Sequence, residues 1–271
     1  MVKSLSFASM RGKRQADTIR PQPMEAAIFF GWDATKMAAR EWQVEVLRFT
    51  FIGLADEAVE RFKSMKVLLG MEPETVTNKP QLRSTTEEVD WEEGRLSVVS
   101  QPSRIDLIYS APMQEAVMAL PNGGSFQQAG ERLIPFLGEI CEEKVGRVAI
   151  GGVVLHLVPD VESGYKGLKE LLPFVSFEPD MKEFQLQINR PKEFQGLPVN
   201  EMGKWSVATM KFMHLDHHQG VAYDVSGQSA VRFEFDFNSS ELVSVPEEIK
   251  VIDLISHLLT RSIAVSQEGA L

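Results

Sequence analysis

Val231-Arg232-Phe233-Glu234-Phe235-Asp236-Phe237 alternates without a break. In an extended chain successive side chains point to opposite sides. Val231 and the three phenylalanines therefore face one way, and Arg232, Glu234 and Asp236 face the other. The first set belongs in a core; the second is wet or ion-paired. A slip of one residue would bury three charges, so the register of this strand is firmly set.

The neighbouring segments fit the same sheet. Residues 183–190 place Phe184, Leu186 and Ile188 on one side and Gln185, Gln187 and Asn189 on the other. Residues 204–213, 220–226 and 230–237 read as further strands, with Gly227-Gln228-Ser229 as a tight connection between the last two. Upstream lie an apolar strand over 147–158 and a short helix over 165–172, stopped by Pro173. Downstream, Ser244, Pro246 and Glu247 have the form of a helix start. Ile249, Ile252, Ile255, Leu259 and Ile263, with Val251, Leu254 and Leu258 beside them, then form a stripe wide enough to lie against a sheet. The order from 147 to 263 is β-α-β-β-β-β-α.

The first half allows a similar reading. Met24–Trp32 and residues 42–52 are strand-like, the latter with Val44 and Val46 on one face and Leu47 and Phe49 on the other. Leu54, Ala58, Phe62 and Met65 have helical spacing. Residues 72–90 are a long loop or a pair of weak edge strands; 95–100 and 104–110 form a hairpin around Gln101-Pro102-Ser103. Ser125 opens a helix through Phe126, Ala129, Leu133, Phe136 and Ile140, which Pro135 must kink or break. The expected fold is α+β: antiparallel sheets each covered by a long helix, with an internal duplication of the β-α-β-β-β-β-α unit as one reading. The expected division is a disordered basic arm over 1–23, an α+β half over 24–145 and a second over 146–271.

The totals narrow the function. The chain has 271 residues and a formal net charge of −10. The first twenty residues carry five cations against Asp17, about +4, which leaves about −14 for the rest. An acidic body repels phosphate, so nucleic acid is not an expected partner except through the basic arm. That arm lacks the apolar run of a secretory signal, and no apolar run approaches the roughly 20 residues of a membrane span. Cys141 is the single cysteine, so neither a disulfide within the chain nor a cysteine-based zinc site can form. These features fit a cytoplasmic protein with no membrane partner.

Three strings carry a family likeness: Gln187-Ile188-Asn189-Arg190-Pro191; Asn200 with Lys204-Trp205-Ser206; and Glu234-Phe235-Asp236-Phe237-Asn238 before the last helix. Together they resemble the uncharacterised bacterial family described as sporadically distributed, over roughly residues 180–265. The first half matches only in its proline-then-strand opening at Pro23–Phe30, and the basic arm departs from a usual family start. The resemblance implies a bacterial, cytoplasmic protein, and its patchy distribution points towards phage defence or mobile-element biology. The family has no established reaction, so no catalytic residue carries over.

Two groups of residues invite chemistry. His214-Leu215-Asp216-His217-His218 offers three imidazoles and a carboxylate to a metal, with His214, Asp216 and His217 as the candidate ligands, although neighbours on an extended chain point apart. The plainer account is a solvated hairpin loop. Gln187, Asn189, Asp224, Arg232, Glu234 and Asp236 share the polar face of the second-half sheet by alternation, either as a recognition surface or as a solvated, ion-paired face in which Arg232 pairs across a neighbouring strand. Cys141 beside Glu142 and Glu143 is a packed thiol, not a nucleophile. Gly151-Gly152 lacks the layout of a phosphate loop, and no serine sits in a nucleophile elbow. The expectation is a non-enzymatic binding or assembly protein with a protein partner or a second copy of itself, and no cofactor. A metal-dependent hydrolase built on the histidine cluster, and a carrier of an apolar small molecule held between sheet and helix, are the alternatives.

Overall fold

The computed structural model describes residues 40–112, 119–178, 180–216, 221–241 and 243–270, with the backbone alone for 211–216 and 221–226. The chain divides into two units, residues 1–38 and 39–271. The first unit, with the basic arm and the strand expected at Met24–Trp32, lies outside the described residues.

The second unit is built on one antiparallel sheet of nine strands: β1 (Gln43–Ile52), β2 (Thr75–Lys79), β3 (Ser84–Trp91), β4 (Gly94–Gln101), β5 (Arg104–Ser110), β6 (Arg147–Val158), β7 (Gln185–Phe194), β8 (Leu197–Asp216) and β9 (Val221–Ser239). Their order across the sheet is β2-β3-β4-β5-β1-β6-β9-β8-β7. This corrects the expectation of two sheets. β1 and β6 pair along nearly their whole lengths, from Gln43↔Leu155 to Ile52↔Arg147, and join the two halves. Composition explains the join: Val148, Ile150, Val153, Val154 and Leu155 are buried on both sides of β6. A strand apolar on both faces belongs inside a sheet, with a neighbour on each edge.

The helices also differ from expectation. Among the described residues only α5 (Val251–Glu268) is long. α1 (Asp56–Phe62) and α2 (Met65–Leu69) break the helix expected through Leu54–Met65, yet Leu54, Ala58, Phe62 and Met65 are all buried. α3 (Phe126–Leu133) gives way to a 3-10 turn at Ile134–Leu137, where Pro135 removes an amide donor. α4 (Val161–Leu171) starts earlier than its apolar residues suggest, because Asp160 caps it by accepting from the Ser163 amide at 2.7 Å. α5 starts at Val251, later than Ser244 and Pro246 predict. Among the described residues the first half thus has no long helix over its strands, and the second half reads β-α-β-β-β-α, one strand fewer than expected.

The missing strand has a specific cause. β9 runs unbroken through Gly227-Gln228-Ser229, which pair with Lys211, Met210 and Thr209 of β8. At Gly227 and Gln228 only β8 holds β9, because the pairing with β6 ends at Ser229, and the long ladder to β8 carries the strand through the glycine. The tight turn lies instead between β7 and β8, where Gln195 (φ 50°) and Gly196 (φ 81°) both take positive φ. That is the geometry a two-residue hairpin requires.

The ring side of the sheet is the core. Phe233 stacks on Trp205 with centroids 4.9 Å apart and on Phe235 at 5.4 Å. Phe126 of α3 lies 5.4 Å from Phe235. α4 comes close because it presents Gly164 and Gly167: a Cβ there would meet Val207 at 2.9 Å and Val231 at 3.2 Å. α5 is tied down by Arg261, whose Nε and Nη2 donate to the buried carboxylate of Glu201 at 2.7 and 3.0 Å. A bulge between Val44 and Val46 turns Val44 to the core side with Leu47, Phe49 and Phe51, against the simple alternation expected of β1.

Candidate functional site

The bulge that sends Leu47, Phe49 and Phe51 inward sends Val46, Arg48 and Thr50 to the opposite face. Register then carries this face across six strands. One row runs Ile108–Arg48–Gly151–Asp236–Met202–Asn189 from β5 to β7, and the next runs Ser110–Val46–Val153–Glu234–Lys204–Gln187. Between them lies a cavity of about 300 Å³, lined by Val46, Arg48, Ile108, Val153, Gln187, Met202, Lys204, Glu234, Asp236 and the backbone around Gly151. Gly151 makes the room. A Cβ there would stand 3.4 Å from Arg48 Nη2 and 3.2 Å from the Phe235 carbonyl oxygen.

The charges around the cavity fall into two kinds. Glu234 is fully engaged: Arg232 Nη1 donates to it at 2.8 Å, and Lys204 Nζ stands 3.6 Å away. The hydrogen bond from Arg232 outweighs partial burial and, with the charges of Arg232 and Lys204, holds the Glu234 carboxyl below its ordinary range. Arg232 Nε is also 3.8 Å from Glu45. Its closest partner is thus on its own strand, with Glu45 across the sheet as a second, looser one.

Arg48 and Asp236 are of the other kind. Arg48 Nε is buried without a hydrogen-bond partner, and no carboxylate of the described residues lies within ion-pair distance of its guanidinium. Asp236 accepts only from Asn238 Nδ2, at 2.8 Å and, like Arg48, has no counter-ion among the described residues. Asn238 accepts from Asn200 at 3.1 Å, and Asn200 from Asn189 at 3.4 Å, so the amides beside Asp236 are held in a chain.

The sequence-derived residues distribute as follows. Gln187, Glu234 and Asp236 line the cavity. Asn189 is on the same face one step away, and Arg232 acts from the side by binding Glu234. The Asp224 side chain lies outside the described residues. So do the side chains of His214 and Asp216 and the whole of His217, the candidate metal set. Among the described residues, no group of three His, Cys, Asp or Glu side chains could hold a metal ion. Arg48, Lys204, Met202 and Gly151 are not among the site residues expected from the sequence. Arg48 did carry a signal, as the one cation inside the apolar run of β1, and Gly151 another, as a glycine inside a β-branched strand.

Among the described residues, Cys141, His156 and His257 are occupied structurally. Burial, reinforced by Glu142, pushes the Cys141 thiol up to about 12, so it is protonated at neutral pH. His156 Nδ1 is 3.0 Å from the Glu41 carbonyl oxygen and its ring lies against Trp42. His257 packs on Phe194 with centroids 4.7 Å apart. No helix of the described residues is long and apolar enough to cross a membrane. No described protein family matches the chain, and no curated protein sequence is detectably similar to it.

Proposed function

We propose that this chain is a non-enzymatic binding protein whose recognition surface is the polar face of its sheet, working in the bacterial cytoplasm as the family resemblance implies. One observation supports this reading above the others: the Arg48 guanidinium lines a cavity with its Nε desolvated and unpartnered. The Nε is closed to solvent and cannot itself meet a ligand; the remaining guanidinium donors, which also lack a partner among the described residues, are the ones a bound acceptor would satisfy. The face also has depth, because Gly151 leaves a gap between Arg48 and Asp236. An apolar cargo between sheet and helices is less well supported, since Trp205, Phe233, Phe235 and Phe126 are in ring contact there.

The test is the double variant Arg232→Ala/Glu234→Ala. It removes the ion pair at the rim of the cavity and touches no core side chain. Affinity capture from bacterial lysate with the wild-type chain and the double variant, side by side, should show reduced recovery of bound material by the variant at unchanged circular dichroism. Equal recovery by a folded variant would overturn the assignment of this face.

A further inference from the structure

Four ionised side chains line the cavity: Arg48 and Lys204 are cations, Glu234 and Asp236 are carboxylates. The lining is electrically balanced, which disfavours both a simple anion and a simple cation as its occupant. An anion drawn to Arg48 meets Asp236, and a cation drawn to Asp236 meets Arg48. Lys204 and Glu234 already face each other, 3.6 Å apart, and ask for nothing more. The charges left over are one of each sign, on the same face, at the same level of the sheet.

Their spacing is set by register. Arg48 on β1 is opposite Gly151 on β6, and Gly151 is opposite Asp236 on β9. Two interstrand spacings put the backbones about 10 Å apart. Arg48 reaches part of that distance, since its Nη2 lies 3.4 Å from where a Gly151 Cβ would be. It does not come within ion-pair distance of Asp236. An unmet pair of opposite charges in a half-buried hollow is stabilised by any ligand that carries both charges a few ångströms apart. Val46, Ile108, Val153 and Met202 add an apolar wall beside the charged pair.

From these features we infer that the cavity takes a small zwitterion of the free α-amino-acid class with an apolar side chain. This inference rests on the assignment of the polar face as the recognition surface. The ligand carboxylate sits on Arg48, which offers a planar fork of donors, and its ammonium sits on Asp236. The side chain lies along Val46, Ile108 and Val153. The volume of about 300 Å³ is at the low end for ligand sites and suits a single amino acid better than a peptide.

The experiment uses the full chain with L-leucine, L-isoleucine, L-methionine and L-phenylalanine as probes, read by thermal shift and by saturation-transfer NMR. At least one should raise Tm and receive saturation. For that probe, Arg48→Gln and Asp236→Asn should each lower the affinity roughly tenfold or more, the scale of a lost charge-assisted contact. N-acetyl-leucine, which lacks the ammonium, and leucinamide, which lacks the carboxylate, should bind as poorly as the variants do. The inference is overturned by silence of all four amino acids, by binding that the two substitutions leave unchanged, or by equal binding of N-acetyl-leucine, which would make the cavity a plain carboxylate site. Failure here with reduced capture by Arg232→Ala/Glu234→Ala would reject the ligand class and keep the surface; equal capture would reject the surface itself.

Discussion

On one face of the sheet, Trp205, Phe233, Phe235 and Phe126 form a continuous run of ring contacts. On the other, Arg48 and Asp236 stand two strands apart and meet no counter-ion among the described residues. The same strands make both faces, and in β9 the two alternate residue by residue. Neighbours in sequence therefore answer to different demands. Phe235 is held by the rings that pack on it, whereas Asp236 meets only the Asn238 amide and no counter-ion among the described residues. The ring face is closed by apolar contact, although Trp205 Nε1 and Trp42 Nε1 are buried there without a hydrogen-bond partner; what sets the polar face apart is a pair of opposite charges without counter-ions.

The strongest way to break this comparison is to truncate adjacent residues. Phe235→Ala removes a ring that touches Phe126, Phe233 and Phe237, and should cost about 3–5 kcal/mol in urea unfolding. Arg48→Ala removes a buried unpartnered donor together with the packing of its aliphatic stem, two effects of opposite sign, and should change stability by less than about 1 kcal/mol. A large loss from Arg48→Ala would show that the guanidinium is structural, and the polar face would lose its claim to be a binding surface.

Gly151 and Gly152 sharpen the contrast at a smaller scale. They are consecutive in β6 and look alike in sequence. A Cβ on Gly152 would lie 2.5 Å from the Val46 carbonyl oxygen and 3.1 Å from the Phe235 ring, neither of which can move freely. Gly152→Ala should therefore destabilise by about 1–3 kcal/mol, the usual cost of overpacking. A Cβ on Gly151 meets the Arg48 side chain at 3.4 Å, at its flexible end, and the Phe235 carbonyl oxygen at 3.2 Å. Gly151→Ala should be the milder change in thermal unfolding, and it should shrink the cavity. Equal losses from the two would mean that this face is packed as tightly as the other.

The ring face was legible because it is written locally. Val231, Phe233, Phe235 and Phe237 announce a buried side within one strand, and the stripe on α5 announces its cover. The site was half legible for the same reason. Alternation found Gln187, Glu234 and Asp236, since each belongs to a strand whose pattern is clear. Arg48 and Gly151 escaped, because their meaning comes from standing opposite each other on β1 and β6, and register between segments so far apart is not encoded in either one. The join of the halves into one sheet escaped on the same ground. Gly227-Gln228-Ser229 misled in the opposite direction. It has turn composition, but pairing with β8 overrides local preference.

The smallest expected effect separates the faces by pH. His257 lies on the covering helix of the ring side, where burial and, after it, Arg261 hold its imidazole below the ordinary value, with Glu201 opposing. A histidine depressed in the folded state binds its proton more readily when unfolded. Its contribution to stability is present above the unfolded value of about 6.5 and is lost as pH falls through the folded one. Glu234, on the polar face, is also depressed, but from the carboxylate range, so its contribution is lost only at lower pH. Thermal unfolding of the wild type between pH 7 and pH 5 should therefore show a modest fall in Tm that His257→Phe flattens and Glu234→Gln does not. Below that window the roles should exchange. A wild-type slope that His257→Phe leaves unchanged would show that the covering helix carries no titrating strain, and that the ring face is as indifferent to protons as its side chains suggest.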